Sequence, residues 1–151
     1  MRRIERMLDD LNRAWGGESW HGPALQQVLS GITEDEAKAK PIGGAHSILE
    51  LVVHIGTWID AVARRLHGEA YAPTTEEDWS DVTQRSFANA AEELEHAESR
   101  ILDAVARMGD DDLDERVPGR DHTNYVMLQG VILHNTYHAG QIALLKRALR
   151  G

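Results

Sequence analysis

The stretch NYVMLQGVILHNTYHAGQIALLKRAL, residues 124–149, decides the fold that we expect for this chain. Its first half leaves little polar surface, and its basic residues gather near the C-terminal end, where cations favour the helix dipole. We therefore predict one final helix, roughly 40 Å long. Within it His134 and His138 are four residues apart, so both imidazoles project from one face and can point at a single atom.

Three further stretches have the apolar spacing of long helices. Residues 4–15 form one amphipathic stripe, and residues from about 78 to 108 form another. Between them, Ser47 and Glu50 have the spacing of a capping box, and the helix that follows runs to about residue 67. This second long helix is apolar on most sides in its first half, which is typical of a helix buried by several neighbours.

Shorter helical pieces are predicted at residues 24–29 and from Thr33, both between the first and second long helices. Residues 68–78 are predicted to be a loop that ends in a threonine cap, Thr74 or Thr75, and residues 109–123 an irregular connection. No stretch has the pattern of a convincing strand. We therefore predict an all-α fold, an antiparallel four-helix bundle formed by a single domain of residues 1–151.

The composition narrows the classes of function. The chain has 151 residues, no cysteine, and 25 acidic against 16 basic residues, which gives a formal charge of -9. A nucleic-acid-binding protein needs a basic face, so we expect no nucleic-acid partner. No run of 18 apolar residues and no signal-peptide pattern occurs, and the lack of cysteine fits a reducing compartment. We expect a soluble cytoplasmic protein without a membrane partner.

Three of the eight histidines lie inside strongly apolar helical segments: His54, His134 and His138. Burying an imidazole without a partner costs about 1–3 kcal/mol, so each of them needs one. Two interpretations are open, namely three ligands of one metal ion or three separately hydrogen-bonded core residues. The other histidines are expected at the surface or at the mouth of the bundle: His21, His46, His67, His96 and His122.

A site of three neutral imidazoles would leave the full charge of a divalent ion in place. Such an ion lowers the pKa of a bound water or thiol, and nitrogen ligands favour zinc or nickel over magnesium or calcium. Gly130 places no side chain on the helix surface beside His134, and this allows two interpretations, namely a cavity beside the metal or close packing of a neighbouring helix. Tyr137 and Gln141 either orient a ligand or pack at the edge, and Glu50 is explained by its capping box, so no catalytic residue is assigned.

Several motifs resemble the DinB-like/YfiT-like superfamily of metal-binding four-helix bundles. They are Trp20-His21-Gly22-Pro23, residues 46–55 with Trp58, and residues 134–142 with Leu145. The resemblance covers nearly the whole chain in order, and it implies a three-histidine metal site, commonly of zinc or nickel. One ligand comes from the second long helix and two from the last, and these positions hold His54, His134 and His138. The resemblance also implies a homodimer.

The resemblance implies several activities. Relatives include S-transferases that use low-molecular-weight thiols, a thiol-dependent isomerase and metal-dependent hydrolases. We therefore expect a divalent-metal-binding protein that activates a low-molecular-weight thiol or water against a small electrophilic substrate. The alternative is a non-catalytic, metal-stabilised binding or stress-response module, because a shared fold does not determine the chemistry.

Overall fold

A computed structural model describes residues 1–151 and contains seven α-helices. The four long ones are α1 (Arg3–Trp15), α4 (Ile48–Leu66), α6 (Phe87–Ala106) and α7 (Asn124–Arg150). The three short ones are α2 (Leu25–Leu29), α3 (Glu34–Lys38) and α5 (Thr75–Asp78), and a 3-10 turn spans Asp111–Asp114. One isolated β-bridge, between Arg116 and Thr123, is the only strand-like feature. The predicted all-α class, with short helices between the first two long ones, is confirmed.

Helix α4 occupies the centre of the bundle, between α6 and α7, and α1 closes the opposite side against the same two helices. Helices α4 and α6 run in the same direction, since Gly56 lies opposite Leu94 and Asp60 pairs with Arg100 at 2.7 Å further along both helices. The predicted antiparallel arrangement therefore does not extend to this pair. Two consecutive helices that run in the same direction need a connection that spans the length of the bundle, and residues 67–86 are long enough to provide it.

The capping boxes expected from the sequence form as predicted. The Ser47 hydroxyl accepts from the amide of Glu50 at 3.1 Å, and the Glu50 carboxylate accepts from the amide of Ser47 at 2.6 Å. These bonds satisfy amide donors that the first turn of α4 leaves without helical partners. Thr33 starts α3 in the same way, and of the two candidate threonines it is Thr74 that caps α5.

The start of the third long helix differs from the prediction. Asp78, expected to begin it, ends the short helix α5, and α6 begins at Phe87, capped by the Ser86 hydroxyl, which accepts from the amide of Asn89. Apolar spacing from Val82 onward extended the predicted helix too far toward the N-terminus. Residues 79–86 are instead irregular, and this segment brings Asp78 and Trp79 onto α4.

The core is formed mainly by aliphatic side chains from the three C-terminal long helices. The largest fully buried ones include Ile55 and Ile59 of α4, Leu94 and Ile101 of α6, and Leu128 and Ile142 of α7. None of the helices combines the length and the apolar character needed to cross a lipid bilayer. The cytoplasmic location stays a prediction.

Candidate metal centre

The three histidines predicted from the sequence meet between α4 and α7. Nε2 of His54 lies 3.1 Å from Nε2 of His138 and 3.0 Å from Nε2 of His134. Candidate ligand atoms of all three side chains lie within 4.8 Å of one another. His54 and His138 are only 6% and 7% exposed, and His134 is half-buried. The four-residue spacing on α7 and the single histidine on α4 thus bring three nitrogens together, as expected.

Two of the rings have a defined partner on the nitrogen that faces away from the cluster. Nδ1 of His54 donates to the backbone carbonyl oxygen of Asp78 at 3.1 Å and lies 2.8 Å from the carboxylate of the same residue, and Nδ1 of His138 donates to the side-chain oxygen of Gln141 at 2.6 Å. In the neutral rings these bonds place the proton on Nδ1 and leave a lone pair on Nε2. Nδ1 of His134 is buried without a partner, so no protein acceptor fixes its tautomer.

The donor set fits a divalent ion. Because two Nε2 lone pairs face each other at 3.1 Å, they repel unless a cation lies between them. Nitrogens bound to one zinc ion at about 2.0–2.1 Å in near-tetrahedral geometry lie roughly 3.3–3.4 Å apart, so a slight opening of the cluster suffices. Outer carboxylate and carbonyl partners of this kind are what orients histidine ligands in metal sites.

Burial keeps the α7 histidines neutral. Desolvation, together with the neighbouring imidazoles of His138 and His54, lowers the pKa of His134 to about 4. Desolvation also lowers the pKa of His138, against the opposing effect of its hydrogen bond to Gln141. Neutral imidazoles are the form that binds metals, so protons do not compete strongly for these nitrogens at neutral pH.

Asp78 and Trp79, two neighbours in the chain, hold His54 in place. Trp79 stacks on the His54 ring with centroids 4.0 Å apart, and His46 stacks on the other face of the indole at 3.7 Å. The indole nitrogen of Trp58 donates to the carboxylate of Asp78 at 2.6 Å. The sequence did not reveal these roles for Asp78 and Trp79, because they depend on a contact across 24 residues rather than on a local pattern.

No further histidine, aspartate or glutamate joins the cluster. Glu50 stays in its capping box and pairs with Lys40 at 3.0 Å. The hydroxyl of Tyr137, mostly exposed, accepts from the Gln141 amide at 3.4 Å. The chain therefore offers three candidate ligands of these types, and of the two residues that flank the pair it is Gln141 that contacts a cluster histidine through a hydrogen bond.

Comparisons with known proteins identify the family. A sequence profile described as the DinB superfamily matches residues 19–142. The chain belongs to the DinB superfamily. A solved structure titled "Crystal structure of the conserved protein of locus from Enterococcus faecalis" is similar at a TM-score of 0.70 and 16% identity, over 98% of this chain and 97% of that one. That likeness concerns the fold alone, and no curated protein matches the chain significantly.

A cavity of about 330 Å³ opens beside His134 in this DinB-superfamily bundle. Its walls include Trp58 and Val62 of α4 and Val126, Met127, Gly130 and His134 of α7. Nothing in the chain would contact a Cβ placed at Gly130 or Gly140, so close packing within the chain does not explain either glycine. Within the chain, Gly130 lines the cavity, which is the first of the two alternatives that the sequence left open.

The remaining histidines lie either near the mouth of the site or at the surface, as their sequence contexts suggested. His122 lines the cavity, and His46 reaches the site through Trp79. His67 bonds the carbonyl oxygen of Ala63 at the end of α4, whereas His21 and His96 are exposed.

Proposed function

We propose that the chain binds a divalent ion, zinc or nickel, through His54, His134 and His138. We further propose that it uses the ion to activate a low-molecular-weight thiol or water against a small electrophile. The observation that carries the proposal is the pair of Nε2 lone pairs that meet at 3.1 Å between buried, oriented rings, with no carboxylate in the cluster. When bound, the ion would supply a strong positive charge that lowers the pKa of a thiol or water at its open position.

The side chains around the cluster have distinct tasks in this proposal. Asp78 and Gln141 fix the orientation of His54 and His138 and keep their Nε2 lone pairs directed inward. Trp79 covers one face of His54 and excludes water from it. The cavity beside His134 receives the electrophile, and its largely apolar walls suit a small organic molecule.

The test combines metal analysis with activity. The purified protein is expected to contain close to one equivalent of zinc or nickel, His54→Ala is expected to lose it, and the exposed His96→Ala is expected to keep it. The loaded protein is then incubated with small thiols and an electrophile panel, and separately with ester and amide panels. Metal binding without turnover or thiol binding would contradict the catalytic proposal and favour a structural ion that ties α4 to α7.

We also propose that two copies associate through the exposed stripe of α7. The stripe alternates steps of four and three residues, and all its members are exposed: Val126, Gly130, Leu133, Tyr137, Gly140 and Leu144. This is the spacing by which two helices pack along a common seam, and the glycines permit close approach. A twofold axis pairs one stripe with the same stripe on a second copy, so the surface is self-complementary.

Light scattering after size exclusion tests the dimer. Wild type is expected at twice the monomer mass, and Leu144→Glu is expected to shift the equilibrium toward monomer by placing a charge in the seam. Ala143→Glu adds the same charge at an exposed neighbouring position outside the stripe and is the matched control. A wild-type monomer at high micromolar concentration would contradict this proposal.

A further inference from the structure

Arg65, near the end of α4, is a buried cation without an anionic partner. It is 6% exposed, and its Nε donates to the carbonyl oxygen of Tyr71 at 2.8 Å. Most other arginines of the chain pair with a carboxylate, as Arg64 does with Glu69, but no carboxylate lies within ion-pairing distance of Arg65. An unpaired buried charge is costly, and a guanidinium cannot reduce that cost by losing its proton.

The cation lines the cavity that also contains His134. The guanidinium carbon of Arg65 lies 5.8 Å from the ring centroid of Trp58, and the ring centroid of His134 lies 6.2 Å from that of the same indole. Apolar side chains of Val62, Met127 and Val131 line the same cavity. No acidic residue lines the cavity, so nothing in its wall neutralises Arg65.

We propose that this cavity binds a small carboxylic acid, whose carboxylate pairs with Arg65 and whose apolar body reaches toward His134. The inference rests on the proposed function, because it makes the cavity the substrate site of the metal centre. A guanidinium presents a planar pair of donors that matches a carboxylate, and this recognition orients the ligand as well as holding it. One permanent cation in the lining balances a monoanion, whereas a phosphate monoester would bring a second charge that no other arginine or lysine of the lining matches.

Binding of matched acids and alcohols tests the inference. The probes are 3-phenylpropionate, 4-methylpentanoate and benzoate, each against its corresponding alcohol, titrated into the zinc-loaded protein and followed by calorimetry or by the indole N–H signal of Trp58. At least one acid is expected to bind about tenfold or more tightly than its alcohol, since a charge-assisted pair is lost in the alcohol. Equal binding of every acid and its alcohol to wild type would overturn the inference without any variant.

The variants locate the preference. Arg65→Met is expected to abolish it, Arg65→Lys to weaken acid binding several-fold while keeping the preference, and the exposed Arg107→Met to leave it unchanged. Persistence of the preference in Arg65→Met would overturn the inference. If that preference disappeared in His138→Ala, the carboxylate would bind the metal instead, and the proposed function would stand. Conversely, an acid preference that survives removal of the metal by a chelator supports Arg65 even if the metal proves inactive.

Discussion

The histidine cluster between α4 and α7 and the carboxyl group of Glu98 in α6 show two ways of burying an ionisable side chain. In the cluster, His54 and His138 have partners on their outer nitrogens. Glu98 is 2% exposed, its Oε2 has no hydrogen-bond partner, and burial raises its pKa to about 7. Positioned partners fix the orientation of a ring, as a metal ligand requires, whereas an unpartnered carboxyl responds by holding its proton.

Arg65 belongs to neither kind. It is as buried as His54, but it remains charged, since no accessible pH removes the guanidinium proton. A carboxyl without a partner therefore indicates a cost to stability, whereas a permanent cation without a partner, when it lines a cavity, indicates a ligand.

Removal of a cluster histidine should have the largest effect. Loss of a residue that only hydrogen-bonds a ligand lowers metal affinity by about 10- to 100-fold. We expect His138→Ala to lower the affinity for zinc or nickel by more than this, because it removes a ligand itself. Chelator competition and elemental analysis measure it, with His96→Ala as the control. An unchanged affinity would mean that the rings are separately hydrogen-bonded core residues.

Glu98→Gln should stabilise the fold at alkaline pH. The pKa of Glu98 rises from an ordinary 4.5 to about 7, so the folded state binds more protons than the unfolded state between these values. The free energy of unfolding therefore falls as pH rises through this window, by at most about 3 kcal/mol. Glu98→Gln removes the ionisation, and the stability difference from wild type should grow from pH 5 to pH 8.

Denaturant unfolding at several pH values provides the measurement for Glu98. Glu95→Gln is the matched control, because it makes the same change at an exposed position on the same helix. A constant difference between wild type and Glu98→Gln across this range would show that the buried carboxyl has a solvent or side-chain partner after all.

Asp78→Asn should weaken the metal site without removing a ligand. The variant keeps the shape of the side chain and the backbone carbonyl that accepts from His54, but it loses the negative charge that lies 2.8 Å from Nδ1 of His54 and accepts from the indole of Trp58. We expect metal affinity to fall by about 10- to 100-fold. Asp103→Asn, at an exposed position, is the control for the lost charge. Equal metal affinities of the two variants would show that the Asp78 carboxylate does not orient His54.

Local sequence patterns account for the parts of the site that lie on long helices. Apolar spacing predicted α4 and α7, and a capping box predicted the start of α4. His54 on α4 and the pair of His134 and His138 on α7 then predicted that the three side chains meet. The contacts of Asp78 and Trp79 with His54, and of the Tyr71 carbonyl with Arg65, depend instead on the path of residues 67–86. Thr74 signals a helix start there, but no local pattern indicates that the next residues turn back onto α4.

Gln141→Ala should have the smallest effect in this series. Gln141 accepts from Nδ1 of His138 through a neutral carbonyl, whereas Nδ1 of His54 has the carboxylate of Asp78 at 2.8 Å beside the backbone carbonyl, and interactions with charged groups are roughly twice as strong as neutral hydrogen bonds. Loss of the neutral partner should therefore lower metal affinity by about tenfold or less, near the bottom of the range for outer partners. Gln129→Ala, on the same helix and outside the cluster, is the control in the same chelator competition. A larger loss in Gln141→Ala than in Asp78→Asn would reverse the ranking and show that orientation of the rings, rather than charge on their partners, determines the strength of the site.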